Sequence, residues 1–234
     1  MPSESKHHRE PARNRGRNSS GEATRGKLIA IAEAMFADRG IAAVSLNEIR
    51  LAAGQSNAAV VNYHFGSKED LVKAILEDRL ERIDAERGRI LDTALSGSQP
   101  IELRGLLEAL VLPQVSSIER GERHVELVAQ LLFHGYGEPG GHAWILADPS
   151  LTGHGQRVNQ LLWKQLSHLP EAVSTARLRF VYISSLTSLA DHQRQHATAT
   201  EAPPTATFVS DLIDSLAAII RAPVSAATLE SLQR

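Results

Sequence analysis

The chain has 234 residues, 42% hydrophobic and 4% aromatic, with no cysteine and a formal net charge of −2. That is enough for one large globular domain or two modest ones, and the lack of cysteine excludes disulfides and thiolate metal sites. No apolar run approaches roughly 20 residues and the N-terminus is polar, so neither a membrane span nor a signal peptide is expected, and a cytoplasmic location is.

Residues 1–22 are rich in Ser, Pro, Gly, Asn and Arg without apolar periodicity, the pattern of a disordered arm. Residues 1–27 hold seven basic groups against three acids, a net +4; the whole chain sums to −2, so the remainder carries −6. A basic arm on an acidic body points to a polyanionic partner at one end. Composition alone also allows a solvated tail with no partner.

From Ala23 the pattern becomes helical. Leu28, Ile31, Ala32, Met35 and Phe36 fall on one helix face, with Gly40 placed to cap it. A second helix opens on the capping box Ser45-x-x-Glu48, buries Leu46, Ile49 and Ala53, and breaks at Gly54. A third is expected from about Ser56 to Phe65, with Val60 and Val61 inward. Ser67 then caps a long fourth helix. Beyond residue 90, helices are expected at 101–118, 122–134, 155–168, 171–195 and 205–221, the first of them kinked or ended by Pro113. No alternating Val/Ile/Thr runs compete, so the fold class is all-α.

Two short helices joined at a glycine and buttressed by a preceding helix make a helix-turn-helix. The run "AMFADRGIAAVSLNEIRLAAG…NYHFGSKEDLVKAIL" resembles the N-terminal DNA-binding domain of TetR-family transcriptional regulators, over about Thr24 to Leu76. The resemblance implies a helix-turn-helix domain at 23–70 and a larger helical ligand-binding and dimerisation domain at 71–234. It also implies a non-enzymatic, nucleoid-associated homodimer whose third helices enter successive major grooves. In two places the chain departs from the family pattern: the turn carries Gln55 and is one residue longer, and Arg50 stands where a small residue is usual.

Phosphate contacts are expected from Ser45, Tyr63, His64 and Lys68. Tyr63 and His64 end the third helix, and a lysine in the first turn of the fourth opposes the helix dipole unless an anion faces it. The alternatives are that Tyr63 packs, that His64 is simple surface, and that Lys68 pairs with Glu69 or Asp70. Base contacts are expected from Gln55, Ser56, Asn57 and Asn62, which suit adenine, and from Arg50 or Arg25 for guanine.

The rest of the chain says less. Leu178, Val181, Ser185 and Leu189 on one helix, with Phe208, Leu212, Leu216 and Ile219 on the last, form stripes expected at the dimer interface, where small Ser184 and Ser188 allow close approach; an intramolecular core is the alternative. Phe133, Tyr136, Trp144, Trp163 and Tyr182 are candidate liners of a ligand pocket, with "GYGEPGGHAW" as its gate. His192 and His196 beside Asp191 lack a third ligand, so no metal and no cofactor is expected. The expected function is a ligand-responsive repressor that binds a palindromic double-stranded DNA operator as a homodimer and answers to a small apolar effector. An effector-independent DNA-binding structural or division-control protein is the alternative. A metal-dependent hydrolase built on the ten histidines finds no HExxH, nucleophile elbow or phosphate-binding loop to support it.

Overall fold

The computed structural model describes residues 13–96, 102–134, 149–198 and 203–232, all helix and connecting turns. Helix α1 (Arg13–Arg39) starts well inside the stretch expected to be a disordered arm. Propagation adds a backbone hydrogen bond for each residue fixed, so the helix nucleated around Leu28 extends backwards past Gly21 and Gly26. The first twelve positions of that arm lie outside the described residues. Gly40, at φ 87°, ends α1 in the left-handed region that favours glycine, its N–H on Phe36 O at 2.9 Å.

Helix α2 (Leu46–Ala52) carries the complete capping box of Ser45 and Glu48. Helix α3 (Val60–Phe65) is shorter than the expected Ser56–Phe65. Asn57 accounts for the difference. Its side-chain oxygen accepts from Ala59 N–H (3.0 Å) and its carbonyl from Val60 N–H (3.3 Å), so the helical turn begins there and Gln55 and Ser56 stay irregular. Helix α4 (Lys68–Leu95) is capped by Ser67, as its sequence implied.

Helix α5 (Leu103–Glu119) runs on through Pro113 instead of ending there. After it come α6 (His124–His134), α7 (Pro149–Gln165, kinked at Thr152), α8 (Glu171–Ala197) and α9 (Thr205–Arg221). A final short helix, α10 (Ala226–Ser231), was not anticipated; Ser225 caps it. Among the described residues, no helix is long and apolar enough to cross a membrane.

Two apolar cores result. The first gathers Leu28, Ala32 and Phe36 of α1, Ile49 of α2, Val61 and Phe65 of α3 and Leu71 to Leu80 of α4, and it also takes in Leu127 and Val128 of α6. The second joins α4, α5, α7, α8 and α9. A boundary at residue 70 therefore cuts a shared core, because α4 is common to both. The stripes expected at a dimer interface belong to the second core: Leu178, Val181, Ser185, Leu189, Leu212 and Leu216 are buried within the single chain, and Phe208 and Ile219 pack against them. The face of α8 turned away from that core carries Phe180, 57% exposed, with half-buried Ala176, Ile183 and Thr187 at helical spacing.

Buried ion pairs tie the first core to the second. Glu33 of α1 receives Arg79 of α4 (Nη2 at 2.7 Å, Nε at 3.2 Å) and the backbone N–H of Arg123 at 3.1 Å. Arg79 also faces Glu122 at 3.6 Å, which Arg82 approaches to 2.9 Å. Burial acts to raise the Glu122 carboxyl, but the Ser117 hydroxyl and the two guanidinium groups hold it below the usual range. Gln130 of α6 accepts from Ile41 N–H at 3.2 Å and donates to Phe36 O at 3.0 Å, pinning the end of α1. Such pairs contribute little net stability but strongly penalise any other docking angle, since misplacing one partner leaves a buried charge unpaired.

Candidate nucleic-acid interface

The exposed side of the α2–α3 unit is where a duplex would lie. Phe65 points inward and is nearly buried, fixing α3 to the first core. Its neighbours point the other way. Tyr63 is 83% exposed, Asn62 is exposed, and half-buried His64 meets the Tyr63 ring edge-on at 5.2 Å. Ser56, Asn57, Ala58 and Ala59 continue the same exposed surface, while Gln55 is half-buried. Short polar and methyl side chains of this kind suit base edges and thymine methyl groups.

Two cations from α1 flank this face. The Arg25 guanidinium stands 5.3 Å from the Phe65 ring centroid, a cation–π contact that holds it beside α3. Lys27 brings its Nζ within 4.0 Å of where a Cβ on Gly54 would sit, over the turn. The sequence offered Arg50 or Arg25 for guanine, because the third helix has no Arg or Lys, and did not single out Lys27. Its signal was present in the charge asymmetry of the first 27 residues.

Lys68 departs from expectation. An ammonium has three donors, and here they go to Ile41 O (3.0 Å), Ala42 O (3.3 Å) and Val44 O (2.9 Å). The α1–α2 connection turns its carbonyls toward the start of α4, so the charge that opposes the helix dipole is met by backbone oxygens inside the protein. Ser45 is likewise engaged: its hydroxyl accepts from Glu48 N–H at 3.2 Å and donates to the Glu48 carboxylate at 2.7 Å. Arg39 closes on that carboxylate at 2.6 Å, and with the Ser45 hydrogen bonds it holds the Glu48 carboxyl at about 2.

The lengthened turn and Arg50 prove to be one device. Arg50 Nη1 donates to Gln55 O at 2.6 Å while Gln55 N–H donates to Arg50 O at 3.1 Å. Asn47 Oδ1 takes Nε and Nη2 of the same guanidinium, each at 3.0 Å. The extra residue is thus clasped from both sides, and Gly54 supplies the φ of 66° that the turn needs. Arg50 therefore shapes the turn, and reading a base would require it to leave these oxygens.

The expected pocket residues fare unevenly. Tyr136, Trp144 and the Gly-rich gate lie outside the described residues, as does the side chain of Phe133. Trp163 is 38% exposed, whereas Val158 and Leu162 on the same helix are buried. Tyr182 is half-buried between α7 and α8, its hydroxyl 3.4 Å from Asn159 Oδ1. His192 stacks on Phe208 at 4.0 Å, with His196 edge-on at 4.4 Å, so this pair packs aromatically. Among the described residues, no cluster of His, Asp and Glu is arranged to hold a metal.

Comparison with known proteins fits this geometry. Residues 28–75 match the family model described as bacterial regulatory proteins, tetR family, and residues 108–222 match a tetracyclin repressor-like C-terminal domain. The chain is 36% identical over 104 residues to the HTH-type transcriptional repressor KstR2 of Mycolicibacterium smegmatis, covering 44% of this chain and 46% of that one. The repressor of the same name from Mycobacterium tuberculosis is 37% identical over 86 residues (36% and 41% of the two chains), and that from Rhodococcus jostii 31% over 110 residues (47% and 50%). The matches thus span half or less of these relatives. With one matched segment on the helix-turn-helix core and the other on the core behind it, the chain belongs to the TetR family.

Proposed function

We propose that this protein is a transcriptional repressor that binds a palindromic operator in double-stranded DNA as a homodimer and is released by a small, mostly apolar effector. The observation that carries the reading is the exposed Asn62–Tyr63 face of α3, flanked by Arg25 and Lys27 and backed by buried Phe65. Asn62 and Asn57 read bases, with Ser56 and Gln55 at the edge of the contact; Tyr63, His64, Arg25 and Lys27 hold phosphates. Lys68, Ser45 and Arg50 act one step back, by setting the angle at which α3 is presented.

The second copy docks on the outer face of α8, around Phe180, Ile183 and Thr187. An exposed phenylalanine on an apolar stripe of this spacing favours a partner helix over water. The repressor name borne by the relatives supports the regulatory reading. The test is selection from random duplexes with the full-length protein. Enrichment of a two-fold symmetric sequence is expected; recovery of no consensus, or of a single unpaired half-site, would overturn it.

A further inference from the structure

The C-terminal core contains a buried cation whose hydrogen bonding is incomplete. Arg87 of α4 is 5% exposed, and its Nη1 donates to Asp84 Oδ1 at 2.9 Å. Its Nε–H is buried and has no hydrogen-bond partner among the described residues. Asp84 also accepts from α7: His154 N–H reaches Oδ2 at 2.9 Å and Gly155 N–H reaches Oδ1 at 2.8 Å. The kink at Thr152 (φ −137°, ψ 27°) restarts α7 at this point, so Asp84 caps the new helix start from a neighbouring helix.

We infer that this locus is a subsite for one uncharged oxygen, a ketone, ester or hydroxyl oxygen on an otherwise apolar small molecule, with Arg87 Nε–H as its donor. The inference rests on the effector-responsive reading above and names what the effector must carry. The Arg87–Asp84 pair of α4 meets the kinked start of α7 here. The His154 ring lies on the α4 backbone, where a Cβ on Gly88 would stand 2.7 Å from its Nε2. Ile83, Leu91, Val158, Leu162 and Val181 on these and the neighbouring helix are buried apolar residues.

Charge balance selects the oxygen. Arg87 and Asp84 cancel, and the start of α7 adds only about half a positive charge. A phosphate dianion would exceed that and a carboxylate would compete with Asp84 for the same guanidinium. An uncharged acceptor meets the buried Nε–H donor without disturbing the pair. A small molecule bound between α4, α7 and α8 would also touch the helix shared by both cores, and so bear on the angle of α1.

The experiment uses the full-length protein and three probes on one skeleton: adamantane, adamantanone and adamantane carboxylate, with affinities from ligand-observed NMR. The wild-type protein is expected to bind adamantanone roughly tenfold more tightly than adamantane, one charge-assisted hydrogen bond's worth, and the carboxylate no more tightly than the ketone. Replacing the pair together (Arg87→Met with Asp84→Asn) should erase the preference for adamantanone over adamantane. If that variant does not fold, the Arg87 Nε–H resonance of the wild-type protein decides: adamantanone shifts it and adamantane does not. Equal affinities in the wild type, tighter binding of the carboxylate, or a preference that survives the double substitution would each overturn the inference and leave the effector reading standing. Failure of all three probes to bind would remove both.

Discussion

Lys68 illustrates how a residue's chemistry is decided by what surrounds it. A lysine at the start of a helix is unfavourable in isolation, and an external phosphate is one remedy. The carbonyls of Ile41, Ala42 and Val44 are another, and they are present. Lys68→Met should accordingly lower stability by about 1 kcal/mol, the cost of leaving partly buried acceptors unmet, without changing how DNA affinity depends on salt. Lys27→Ala should do the reverse: an unchanged melting temperature and a log–log salt slope smaller by about 0.9 for each phosphate that is no longer neutralised. Binding titrations at several salt concentrations, with thermal melts alongside, check both. A reduced slope for Lys68→Met would restore it to the phosphate backbone.

His124 gives a second test at the same scale. It is fully buried, with Nδ1 3.1 Å from the Ser117 hydroxyl, and burial drives its imidazole down from 6.5 to about 3. Below 6.5 the unfolded chain takes up a proton that the folded protein refuses, so stability is full above that pH and declines as pH falls toward 3. Between about pH 6.5 and 5 this one group contributes a slope of up to about 1.4 kcal/mol per pH unit. The Glu122 carboxyl, held below its ordinary 4.5, begins to lose its contribution only below that pH, so the interval from about 6.5 to 5 reports on His124. Chemical denaturation at several pH values should show the slope in the wild type and a flatter line in His124→Gln. Parallel lines would mean that His124 is solvated or charged in the folded protein.

At the scale of elements, the helices themselves were legible because their signals are local. The capping box at Ser45, the cap at Ser67 and the glycines at 40 and 54 each act within a few residues, and each is found as read. What the sequence concealed was the direction in which a stripe faces. Leu178, Val181, Leu212 and Leu216 have the spacing of a buried face, and spacing does not say whether the other side belongs to the same chain. In the folded protein they lie in the single-chain core. Leu212→Asp should therefore unfold the C-terminal domain, at a cost of about 3–5 kcal/mol for an unpaired buried charge. Phe180→Asp should leave the helical content intact and give monomers that no longer bind operator. Sedimentation and circular dichroism distinguish the two, and a dimer that survives Phe180→Asp would place the interface elsewhere. The lengthened turn was also visible as a departure from the family pattern. Its remedy was not, because the Arg50 clasp on Gln55 depends on a rotamer that no spacing reveals.

Among the described residues, helices α4 and α6 and a set of ion pairs link the helix-turn-helix end to the rest. Helix α4 carries Lys68 at its start, Arg79 against Glu33 in the middle and Arg87 in the second core near its far end. Arg87 and the contact with α1 thus lie on one continuous helix, and Glu33 and Gln130 bond to α4 and to the end of α1. An effector shifts this arrangement only by as much as it prefers the DNA-free form, and release of most of the protein requires several kcal/mol of that preference. The central claim is that two α3 faces read one duplex. The most direct measurement is a footprint of the full-length protein on its selected duplex, taken together with the binding stoichiometry. Two protomers per duplex are predicted, protecting two major-groove segments about 34 Å apart, one helical turn or a multiple of it, with protection lost in Asn62→Ala and Tyr63→Ala. A footprint that lacks two-fold symmetry, or one that both substitutions leave unchanged, would contradict the account.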